Sequence, residues 1–195
     1  SYTSITIGAD GLGLISYYDA ANSALKVAHC SDTDCMNPTL TTLDSGVAGS
    51  YTSITIGADG LGLISYQQRG DFGSPDYISV AHCNDTNCTS ATKTKLDSTG
   101  VVGQYTSITI GADGLGLISY RDATNGDLKV AHCSNTNCTT ATIIALDETG
   151  AVGRDTSITI GADGLGLISY LGTTNGALKV AHCENAFCSP YFRRR

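Results

Sequence analysis

The chain has 195 residues, a formal net charge of −7, 41% apolar residues and 15% charged residues. That apolar share can build a core, and the low charge argues against a disordered chain. The acidic balance repels phosphate backbones and leaves Arg193-Arg194-Arg195 as the one basic run, which excludes nucleic acid as a partner; no apolar run approaches the roughly 18 residues of a membrane span, so no insertion into a bilayer is expected.

The block TSITIGADGLGLISY recurs without change at residues 3–17, 52–66, 106–120 and 156–170, and VAHC follows in each copy. A fixed period near fifty residues is the mark of a repeat architecture. The four units are approximately 1–49, 50–103, 104–153 and 154–195, within a single repeat domain.

Each unit reads as four β segments. Thr3-Ser4-Ile5-Thr6-Ile7 alternates and is rich in β-branched residues, as a half-buried strand should be. Ala9-Asp10-Gly11 supplies a turn, and Gly13 to Tyr17 a second strand. The next connection contains Asn125-Gly126 and Asn175-Gly176 in units three and four, a pair that favours a type I′ hairpin because both residues tolerate positive φ. Leu25 to Cys30 forms the third strand, and a weaker fourth follows the cysteine loop at Thr39–Leu43, with Ile143–Leu146 its counterpart in unit three. No window shows a helical period. In unit four the fourth strand falls on Ser189-Pro190-Tyr191-Phe192-Arg193-Arg194-Arg195, where Pro190 lacks an N–H and makes a poor strand. No secretory leader is recognisable, since Ser1 already sits at the edge of a unit; the chain reads as a mature product or a piece of a longer one.

Four short antiparallel strands per fifty residues describe the blade of an all-β propeller, a twisted sheet that packs both faces on its neighbours. The segments Ile5 to Gly11, Leu14 to Asp19 and Leu25 to Cys30 resemble the β-propeller repeat modules of secreted bacterial proteins, and the likeness extends over nearly the whole chain. It implies a propeller of four-stranded blades, four of them here, and names no activity. The Trp of sialidase-type Asp-box repeats is missing throughout.

Cys30/Cys35, Cys83/Cys88, Cys133/Cys138 and Cys183/Cys188 share one C-x4-C spacing, which predicts four local disulfides and an extracellular location, secreted or on the cell surface. Closing so short a ring should stabilise by roughly 2 kcal/mol. The sequons at Asn84, Asn87 and Asn137 fit that location.

Several patterns invite sharper readings. His29 beside Cys30, four times over, suggests zinc, but adjacent strand residues face opposite ways, so the histidine is expected to be a hydrogen-bonded packing residue and no metal site is expected. Gly8-Ala9-Asp10-Gly11-Leu12-Gly13 has the glycines of a phosphate loop without the following helix, so it reads as a turn. The loops Ser31–Asp34 and Asn84–Asn87 offer oxygen ligands for calcium, yet the charge is not kept in units three and four, which favours turn capping. Arg69-Gly70-Asp71, in the insertion peculiar to unit two, matches an integrin-binding tripeptide and is the one distinctive loop.

There are only two glutamates, Glu148 and Glu184, and the same few groups recur in every unit, whereas an active site needs different groups converging once. These observations predict a chain without catalytic residues or cofactor. It would be an extracellular structural or interaction scaffold, assembling into an oligomer, filament or surface array through edge strands. The alternative is a lectin-like propeller binding glycans at one site per blade, with Tyr17, Tyr66, Tyr120 and Tyr170 as platforms.

Overall fold

A computed structural model describes residues 2–174 and 176–189. Among these residues there is no helix, and fifteen strands form four antiparallel sheets in chain order. The first blade holds β1 (Thr3–Ile7), β2 (Gly13–Asp19), β3 (Ala24–His29) and β4 (Thr39–Ser45); the second β5 (Ala48–Ile56), β6 (Gly62–Gln68), β7 (Tyr77–Cys83) and β8 (Ala91–Asp97). The third holds β9 (Val102–Ile110), β10 (Gly116–Asp122), β11 (Asp127–Cys133) and β12 (Ala141–Asp147). The fourth has β13 (Arg154–Ile160), β14 (Gly166–Gly172) and β15 (Ala177–His182), and its expected fourth strand at Pro190–Arg195 lies outside the described residues.

Each blade is a meander, so every strand pairs with the next in sequence. The alternation in TSITI puts apolar and hydroxyl side chains on opposite faces, and the two faces meet different neighbours. Ile54 enters the preceding blade's core beside Leu14, Leu25 and Val27. On the other face, the Ser53 hydroxyl accepts the N–H of Ile108 in the following blade at 3.2 Å. Blades two and three meet in the same way through Leu63, Ile78 and Val80 against Ile108, Ile118 and Tyr120. Blades three and four do so through Leu117, Leu128 and Val130 against Ile158, Ile168 and Tyr170.

The first strands of the blades lie innermost, with β5 packed on β1 and β9, and β9 on β13. No comparable packing joins β13 back to β1, so the described residues form an arc with two end faces. The identical string is therefore buried or bare according to place: Ile54, Ile108 and Ile158 are 5–7% exposed, whereas Ile5 is 64% exposed.

The connection from β10 to β11 differs from the expected two-residue type I′ turn. Asp122 pairs with Asp127, leaving four residues between them, and only Gly126 among these has positive φ. The Asp122 carboxylate explains the choice: it accepts the N–H groups of Thr124 (2.9 Å) and Asn125 (3.0 Å) and the Asn125 side-chain amide. Such capping rewards a longer turn than Asn-Gly alone would set. Asn175, in the matching pair of blade four, lies outside the described residues.

Candidate functional site

Where the sequence block repeats, so does its chemistry, and most candidate residues are absorbed by it. The cysteines pair as Cys30–Cys35, Cys83–Cys88, Cys133–Cys138 and Cys183–Cys188. His29 Nε2 lies 2.7 Å from Asp10 Oδ2, and His82, His132 and His182 meet Asp59, Asp113 and Asp163 at 2.7–2.8 Å. Each of these aspartates also caps its own turn, as Asp10 does by accepting the N–H of Leu12 at 3.0 Å; that hydrogen bond, foremost, holds the Asp10 carboxyl below its ordinary range. No group of three or more His, Cys, Asp or Glu able to hold a metal occurs among the described residues. In the cysteine loops Asp32 and Asp85 accept backbone N–H groups from Asp34 and Thr89.

Tyr66 and Tyr120 are fully buried, and Tyr170 nearly so. Their hydroxyls donate to Asp44, Asp97 and Asp147 of the preceding blade at 2.7–2.8 Å. Burial, and then the neighbouring carboxylate, pushes each phenol well up. A side chain so enclosed cannot serve as a sugar platform, so the one-site-per-blade arrangement has no surface at these residues. Asn84, Asn87 and Asn137 lie exposed in the cysteine loops. Arg69, Gly70 and Asp71 lie between β6 and β7, where the Gly70 N–H donates to Asp76 (3.2 Å).

What the repeat does not fix is the residue just before each invariant block: Tyr2, Tyr51, Tyr105 and Asp155. With the threonines that follow them, these four line a pocket of about 380 Å³ along the innermost strands. Tyr51, Tyr105 and Asp155 have φ of 54°, 55° and 49°, a left-handed conformation placed at shifts in strand register. That conformation turns each side chain off the alternating pattern of its strand. The Tyr2 and Tyr51 rings lie 4.3 Å apart between centroids, and Tyr51 and Tyr105 4.7 Å, both tilted. Burial, foremost, and the neighbouring Tyr2 hydroxyl push the Tyr51 phenol up. Asp155 completes the set as an exposed carboxylate. Three aromatic rings, four threonines and one acid thus converge once, from four blades. Non-glycine residues held at positive φ carry strain of about 1–3 kcal/mol that surrounding structure must offset, and such strain gathers at functional sites. The sequence carried one signal for this site: the residue ahead of the block is Tyr three times and then Asp.

By sequence the chain matches no protein-family profile and no curated protein. By structure it is similar to a protein of unknown function from Dyadobacter fermentans (11% identity, TM-score 0.74), covering 96% of this chain and 61% of that one. It is also similar to the α-L-arabinanase of Penicillium chrysogenum complexed with arabinobiose (11%, 0.64, covering 97% and 65%) and to the Dos1 propeller (12%, 0.57, covering 92% and 43%). The chain spans less than two thirds of the length of each. These likenesses define the fold: the protein is a β-propeller of antiparallel repeat blades.

The expectation of a chain that is not an enzyme is corrected here. Its structural neighbours are mostly glycoside hydrolases, among them an endo-arabinase, an α-L-arabinofuranosidase and an exo-β-1,3-galactanase, so the fold is one found in enzymes. The argument from repetition weighed only the groups inside the repeated block and left out the residue ahead of it, where three tyrosines and one aspartate meet in one pocket.

Proposed function

We propose that this chain is an extracellular carbohydrate-binding propeller, whose axial pocket takes a unit of a neutral oligosaccharide. The observation that carries the reading is the convergence of Tyr2, Tyr51, Tyr105 and Asp155 on one pocket. Aromatic rings beside a few convergent polar groups are what a ligand site of this kind requires, the rings packing on the apolar face of a sugar and the polar groups fixing its hydroxyls. Asp155 and the net charge of −7 disfavour acidic sugars, which selects neutral ones. Four disulfides support an oxidising, extracellular setting. The arabinobiose complex of the similar arabinanase, and the galactanase, give the first sugars to try.

Titration calorimetry with arabino- and galacto-oligosaccharides tests this, using Tyr105→Asn, which keeps a residue tolerant of positive φ while removing the ring. Loss of an aromatic anchor should weaken binding by about tenfold or more. Binding that survives both Tyr105→Asn and Asp155→Asn would refute the site. Release of reducing sugar that disappears in Asp155→Asn would make the same pocket hydrolytic.

A further inference from the structure

The two end faces of the arc carry the two halves of an interface that the molecule already builds three times. On the outgoing side each junction uses a leucine on the blade's second strand and an aliphatic pair on its third: Leu14, Leu25 and Val27; Leu63, Ile78 and Val80; Leu117, Leu128 and Val130. All nine are at most 1% exposed, whereas their counterparts in blade four, Leu167, Leu178 and Val180, are 37%, 75% and 60% exposed. On the incoming side, blade one shows Ile5 and Ile7 at 64% and 62%. Patches of this kind on a folded chain mark an interaction surface.

A finer fit supports the pairing. An added Cβ at Gly62 would lie 2.9 Å from Leu14 Cδ2, at Gly116 2.9 Å from Leu63 Cδ2, and at Gly166 2.9 Å from Leu117 Cδ2. So at every junction a leucine methyl lies over a bare glycine, beside the disulfide sulfur of the receiving blade. Gly13 has the same sulfur, Cys30 Sγ, at 2.8 Å and no leucine against it. Leu167 is the matching leucine that covers no glycine of this chain. The polar pairs repeat too: Thr52 donates to Ser16 (2.9 Å) and Thr156 to Ser119 (2.6 Å), which makes Thr3 and Ser169 the next pair in the series.

We propose that a second copy of this chain docks head to tail, its blade one on blade four of the first, in the register of the internal blade junctions. The contact is heterologous, so it closes into a ring or runs on as a polymer according to the angle between blades. This mode uses sheet faces rather than the strand edges expected from sequence, and it does not rest on the proposed carbohydrate binding.

Sedimentation velocity on the wild type and on Ile5→Asp and Leu178→Asp tests it. Both positions are exposed in the single chain, so each variant should fold. The wild type should form species of two or more copies as concentration rises. Each variant alone should be monomeric, because every junction would include one charged face. Their equimolar mixture should recover one intact junction and give a heterodimer and nothing larger. A second pair, Ile7→Asp with Val180→Asp, repeats the test at different residues. A wild type that stays monomeric would overturn the proposal, as would variants that associate alone or a mixture that fails to complement.

Discussion

Blades one and three contain the same fifteen-residue string and live in different surroundings. In blade three Ile108 is 6% exposed between two neighbours; in blade one Ile5, identical in sequence and strand pairing, is 64% exposed. Local structure therefore follows from the string alone, because alternation and turn chemistry act over a few residues. Burial does not, because it depends on which sheet stands alongside. The energetic worth of a residue in this protein is set by its blade rather than by its repeat position.

The widest expected contrast is between Leu128 and Leu178, the same position in blades three and four, at 0% and 75% exposed. Leu128→Ala should cost about 2–5 kcal/mol through lost burial and a cavity. Leu178→Ala should cost under about 0.5 kcal/mol in the single chain. Urea unfolding at low protein concentration measures both; equal losses would show that the end face is covered.

Acid should act next most strongly, through carboxylates that tie neighbouring blades. Burial raises the pKa of Asp97, but hydrogen bonds from the Thr99 hydroxyl and N–H, Lys129 and Tyr120 outweigh it and hold the carboxyl below its usual range. Asp147, opposed likewise by burial, is brought to about 2 by Lys179, Thr149 and Tyr170. A folded-state pKa below the unfolded one means the unfolded chain binds more protons in the interval, so this stability is full above the ordinary value of 3.8 and is lost as pH falls through the folded value. Thermal unfolding should show a steep fall in Tm between pH 4 and 2, expected from the 3.8 and about 2 that bound the Asp147 shift. Asp147→Asn should flatten it. In blade one the lysine of this position, Lys26, instead pairs with Asp19 of its own blade at 2.6 Å, so removing that pair should leave the junctions unaffected.

The legible part of the molecule was the part fixed by neighbours in sequence: the period, the strands and the disulfides. Tyr17, Tyr66, Tyr120 and Tyr170 were open to two readings, since a strand tyrosine can face a core or a ligand; the aspartates that receive the Tyr66, Tyr120 and Tyr170 hydroxyls come from the preceding blade, and Tyr17, in blade one, is half-buried. The axial site was not legible. Tyr51 and Tyr105 precede the strand pattern by one residue, and only the left-handed turn of the backbone there shows that they leave it. The Asn125-Gly126 connection was misjudged for a similar reason, because a carboxylate three residues earlier captured the turn.

The smallest perturbation that separates the ends from the middle is chemical reduction. Cys83–Cys88, Cys133–Cys138 and Cys183–Cys188 are at most 1% exposed, each beside a leucine of the preceding blade. In the first bridge Cys30 is 2% exposed but Cys35 is only half-buried, and among the described residues no blade stands against it. A thiolate must reach a sulfur to exchange with it, so the covered bridges react only after the junction opens locally. An opening free energy of only ~1.4 kcal/mol gives a tenfold difference, so Cys30–Cys35 should open at least about tenfold sooner under mild reductant in native buffer, as read by alkylation and peptide mapping. Equal rates at all four bridges would mean that the first junction is already covered. If copies join head to tail, Leu167 of one covers the glycine beside Cys30 of the next, and the advantage of the first bridge should shrink as protein concentration rises.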